Sequence, residues 1–97
     1  MSHATDLLHA ARAEALFVSP LSASGLPSAE EAVQAIRTAV RAHGGTRGCA
    51  GEVAAVYGDY PDTAVQRMRW ALAAVETLFV RNVPMRALPT PAGSRGG

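Results

Sequence analysis

The sequence predicts an all-α domain, a small bundle of about four helices. Three observations point there. Apolar residues recur at steps of three and four along most of the chain up to Arg81, the period of a helix buried on one face. Ser28 and Glu31 form an S-x-x-E pattern, in which each side chain can satisfy a free backbone donor of a first helical turn. No run of β-branched residues alternates with polar ones, so no strand is expected.

Residues 4–17 read as the first helix. Leu8, Ala11 and Ala15 recur on one face, flanked by Leu7 and Leu16, and Asp6 sits in the first turn, where a carboxylate suits the helix dipole. The stretch 18–27, VSPLSASGLP, breaks the period with two prolines and a glycine. It reads as a connector whose Leu21 and Leu26 tuck against the domain. The second helix opens at Ser28, carries Ala29, Ala32, Val33, Ile36 and Val40 at helical spacing with Arg37 and Arg41 opposite, and stops at Gly44 and Gly45.

Thr46, Arg47 and Gly48 read as a short turn before a third helix over 49–57, slightly weakened by Gly51. Gly58 ends that helix. Asp59 then caps a fourth helix over 60–80, with Pro61 and Asp62 in its first turn. Ala64, Met68, Ala71, Leu72, Val75, Leu78 and Phe79 make its apolar stripe, wide enough to be the spine of the core. From Asn82 the chain holds three prolines and three glycines in sixteen residues, the composition of a disordered C-terminal tail. The expected organisation is a helical domain over 1–81 and a tail over 82–97.

The apolar content is 48%, much of it alanine, which builds helix but buries little area. The core is therefore expected to rest on the few large residues: Leu7, Leu8, Leu16, Phe17, Ile36, Val53, Tyr57, Met68, Trp70, Leu72, Leu78 and Phe79. A chain of 97 residues so poor in large apolar side chains is a natural homodimer, because association adds the burial a monomer lacks. The net charge is +1, and all nine basic residues are arginine, a composition expected from a GC-rich genome. The single Cys49 excludes an internal disulfide and fits a cytoplasmic protein. The N-terminus lacks the pattern of a signal peptide, and no apolar run reaches membrane-spanning length.

The segment 49–71, CAGEVAAVYGDYPDTAVQRMRWA, places a small residue, Ala54, four positions before Gly58. That is the spacing of a helix-turn-helix hairpin, with Ala64 and Met68 facing back. The segment resembles the DNA-binding hairpin of sigma factor region 4 through Pro61, Thr63, Arg67 and Met68, over about 20 residues of the chain. Where the family carries an apolar residue after the turn glycine, this chain has Asp59. The resemblance implies a recognition helix starting near Pro61, with Val65, Gln66 and Arg69 facing the major groove. Gln66 would read adenine and Arg69 guanine. Thr63, Arg67 and Arg47 would lie near phosphates. Most of the chain also resembles the short alanine- and arginine-rich proteins of Streptomyces and related actinobacteria. The phrases HGGTRGCAGEVAAVYGDYPDTAVQRMRWAL and LFVSPLSASGLPSAEEAV carry that resemblance, which implies a cytosolic protein and no particular activity.

Charge favours a protein partner over DNA. From Cys49 to Arg81 three arginines face four carboxylates, leaving −1 where phosphate binding needs a positive surface. Tyr60 and Trp70 are the aromatic residues that could anchor a protein interface. Cys49, at a helix start beside Arg47, has two features that favour thiolate, so a thiol-dependent redox role is a further alternative, although the sequence shows neither a base nor a resolving cysteine. His3, His9 and His43 are not at metal-ligand spacing, and HGGTRG lacks the strand and lysine of a phosphate loop. The reading is a non-enzymatic regulatory or adaptor protein without cofactor or membrane. It acts through a helical surface on a protein partner or a second copy of itself, with DNA binding as the alternative.

Overall fold

A computed structural model describes residues 3–81, with side-chain environments from Leu7 to Val80. The tail expected over 82–97 lies outside the described residues. Four α-helices run in order: α1 (His3–Val18), α2 (Ala29–Ala42), α3 (Thr46–Asp59) and α4 (Pro61–Val75). A π-helical segment, Glu76–Arg81, continues α4. Among the described residues there is no strand.

The second helix forms as its sequence dictates. Ser28 stands outside the helix at φ −70°, ψ 161°, and the capping box closes in both directions. The Glu31 amide donates to Ser28 Oγ at 3.0 Å, and the Ser28 amide donates to Glu31 Oε1 at 2.9 Å. At the other end Gly44 takes φ +77°, and the Gly45 amide reaches back to the Val40 carbonyl at 2.7 Å. This pattern closes a helix with its last carbonyls satisfied, and glycine is the residue that adopts it without steric cost.

The third helix begins three residues earlier than the sequence suggests. Gly45, at φ +115°, is its N-cap, so Thr46, Arg47 and Gly48 form its first turn rather than a loop. The early start needs a close approach. A Cβ at Gly48 would collide with the His43 carbonyl at the end of α2.

The joint between α3 and α4 is a single residue, Tyr60, at φ −140°, ψ 69°. The break was expected at Gly58, with Asp59 as the next cap. Both residues are instead helical, neither takes a positive φ, and Tyr60 is the N-cap without a side-chain hydrogen bond. Pro61 is the cause. A proline ring disfavours helical backbone at the residue before it, yet fits the first position of a new helix. The small residues of the hairpin pattern do not lie at a helix crossing. Ala54 is exposed, and a Cβ at Gly58 would meet open space.

The hub of the bundle is α1, which makes the most extensive packing with the other three helices, while α4 lends the core its Ala64, Ala71, Ala74 and Val75. In α1, Ala13, Ala15, Leu16 and Phe17 are all buried, on more than one face. Among the described residues, seven of the twelve buried apolar ones are alanines, joined by Leu16, Phe17, Val53, Val75 and Cys49. Small side chains let the helices approach closely, so alanine fills this core instead of merely supporting it. Ile36, Met68, Trp70, Leu78 and Phe79 pack partly buried around the main cluster. Leu7, Leu8, Tyr57 and Leu72, expected inside, are exposed, as is Leu26 of the connector, while Leu21 does pack against the core. The regular helix of α4 stops at Val75. The wider π-helical turn that follows holds the adjacent Leu78 and Phe79 against the core, and the Arg12 guanidinium lies 4.5 Å from the Phe79 ring centre.

Candidate functional site

Of three surface depressions, two hold some of the residues singled out by sequence. The first, about 400 Å³, lies between the α1–α2 connector and α4, and is lined by Ala23, Asp62, Thr63, Gln66, Arg67 and Trp70. It unites Thr63, Gln66 and Arg67 from the DNA reading with Trp70 from the protein reading. Its arginine is already committed. Arg67 Nε donates to the Phe17 carbonyl at 2.9 Å, and Nη2 donates to the Ser19 carbonyl at 2.8 Å and the Leu16 carbonyl at 3.3 Å. These carbonyls lie at and just beyond the end of α1, where helical partners run out; that of Leu16 also accepts from the Ser19 amide at 3.1 Å and the Ser19 hydroxyl at 2.6 Å. The guanidinium also lies 4.4 Å from the Trp70 ring centre, and partial burial lowers its pKa from the ordinary arginine value. The Trp70 indole N–H donates to the Gly25 carbonyl at 2.9 Å, tying the connector to α4.

At this junction Arg67 is engaged by carbonyls of its own chain, and Trp70 is half-buried beneath it. Gln66, Thr63 and Arg69 remain exposed on α4, with Arg69 outside this cleft. Arg47 lies on the first turn of α3, in a different depression. Tyr60 is 66% exposed at the α3–α4 joint and lines none of the three depressions. Three of the five positions of the DNA reading thus share the first cleft, while Arg69 and Arg47 lie outside it.

Cys49 is buried at 1% exposure between Ala15 and Ala39. Its thiol donates to the Ala39 carbonyl at 3.7 Å. Burial pushes its pKa up, and the nearby Glu14 carboxylate adds to the rise. The environment therefore stabilises the neutral thiol, the reverse of the thiolate expected from a helix start beside an arginine. Its place is in the core.

The second depression, about 410 Å³, is lined by Pro20, Leu21, Ala35 and Thr38, with Glu30, Glu31 and Gln34 at α2. The third, about 580 Å³, lies between α1 and α3. Ala10, Ala11 and Ala50 line it together with Leu7, Leu8, Glu14, Thr46 and Arg47. Leu7 is 60% exposed and Leu8 49%. Two adjacent exposed leucines over small apolar residues form a surface suited to helix or side-chain docking. The sequence hid it, because leucines at the start of an amphipathic helix read as core.

Among the described residues no group of three or more His, Cys, Asp or Glu could hold a metal ion. No helix is long and apolar enough to cross a membrane. Comparison with protein-family models, with curated proteins and with solved structures gives no match to this chain.

Proposed function

We propose that this chain is a small, non-enzymatic cytoplasmic regulatory or adaptor protein that works by binding another protein through an exposed helical surface. The observation that carries the reading is the outward placement of Leu7 and Leu8 beside the alanines of α1 and α3. The fold completes its core with alanine and leaves these large apolar side chains in solvent, where a partner can bury them. The commitment of Arg67 to α1 and the −1 charge of the 49–81 segment favour this reading over a DNA-binding one. The test is light scattering after size exclusion, with and without sheared duplex DNA at low salt. The protein is expected to elute apart from the DNA. Co-migration that disappears as salt rises would overturn the proposal and reinstate Gln66 and Arg69 as DNA contacts.

A further inference from the structure

We infer that the partner at the α1–α3 groove is a second copy of this chain, docked about a two-fold axis. The inference rests on the protein-binding reading above and names its partner. Its support is the groove's self-complementarity in charge and shape. Glu14 and Arg47 both line the groove, with opposite charges, and among the described residues neither forms an ion pair within the chain. A partner of uniform charge would satisfy one of them and oppose the other. A two-fold copy satisfies both, since Glu14 of each protomer can meet Arg47 of its mate, and a contact made once in such an interface is made twice. The shape has the same property. Leu7 and Leu8 stand out, while Ala10, Ala11 and Ala50 offer small side chains that leave room for them. Each protomer carries both ridge and recess. Association then covers the leucines that the alanine-built core leaves outside.

The test is sedimentation velocity on the full chain over a concentration series, for the wild type, Glu14→Arg, Arg47→Glu and the double variant. The wild type is expected to approach twice the 10.1 kDa chain mass. Each single reversal sets like charges against each other at two places and is expected to raise the dissociation constant by about tenfold or more. The double variant restores opposite charges across the interface and is expected to recover most of the wild-type affinity, which a merely damaged fold would not do. A monomeric wild type at about 100 µM, a concentration where even weak micromolar dimers form, would overturn the inference and leave the protein-binding reading standing with a different partner. A dimer indifferent to the single reversals, or one that the double variant fails to recover, would equally overturn the assignment of this groove.

Discussion

Arg67 sets the residue-scale account. Its three carbonyl acceptors lie 48 to 51 positions earlier in the chain, so no local pattern reveals them. Arg67→Ala leaves the end of α1 without those donors and uncovers one face of Trp70. Hydrogen bonds from a charged donor contribute about 1.5–3 kcal/mol each and do not add fully, so the loss should be about 2–4 kcal/mol. Urea unfolding followed by circular dichroism measures it, and an Arg67→Ala protein as stable as the wild type would refute the capping role. Cys49 makes a second prediction, with a definite sign. Its folded pKa lies above the ordinary thiol value of 9.0. Above that value the unfolded thiol ionises while the folded one holds its proton. This thiol's contribution is therefore complete below that pH and is lost above it, at a slope of up to about 1.4 kcal/mol per pH unit. The alkaline decline should be shallower in Cys49→Ala than in the wild type. A matching decline in both proteins would show that the thiol is not held neutral by burial.

At the scale of elements, the legible features were those encoded locally. The capping box of α2 and its glycine stop each depend on residues a few positions apart, and both formed as read. The α3–α4 joint was misplaced because two signals competed. Gly58 can take a turn conformation but does not need to, whereas Pro61 pushes Tyr60 out of helical backbone and so sets the break. The apolar stripe of α4 does face the core, but the central place of α1 is hidden in the sequence, because α1 buries consecutive residues on several faces and packs most extensively with the other three helices. Periodicity reports one buried face well and a hub poorly. The hub assignment predicts an asymmetry between leucines. Leu16→Ala empties a fully buried site and should cost about 2–5 kcal/mol. Leu72→Ala, at a position 40% exposed, should cost less than about 1 kcal/mol. Denaturation midpoints of the two variants check this, and equal losses would contradict the placement of α1 at the centre.

For the whole molecule, the all-α class and the four helices were visible in the pattern, but the inside and outside of the bundle were not. Ranking residues by size placed Leu7, Leu8, Tyr57 and Leu72 in the core, whereas close helix packing reserves it largely for alanine. That inversion places Leu7 and Leu8 on the surface, at the α1–α3 groove. Of the positions in the DNA reading, Thr63, Gln66 and Arg67 share one cleft on α4, whereas Arg47, distant in sequence, lies in the α1–α3 groove. The decisive measurement is the light-scattering mass of the wild type beside that of the Leu7→Gln, Leu8→Gln double variant, both at about 100 µM. Glutamine retains helix propensity close to that of leucine, so circular dichroism should be unchanged. The expected wild-type mass is near twice 10.1 kDa and the expected variant mass near 10.1 kDa. Equal masses for the two proteins, whether monomer or dimer, would contradict this expectation.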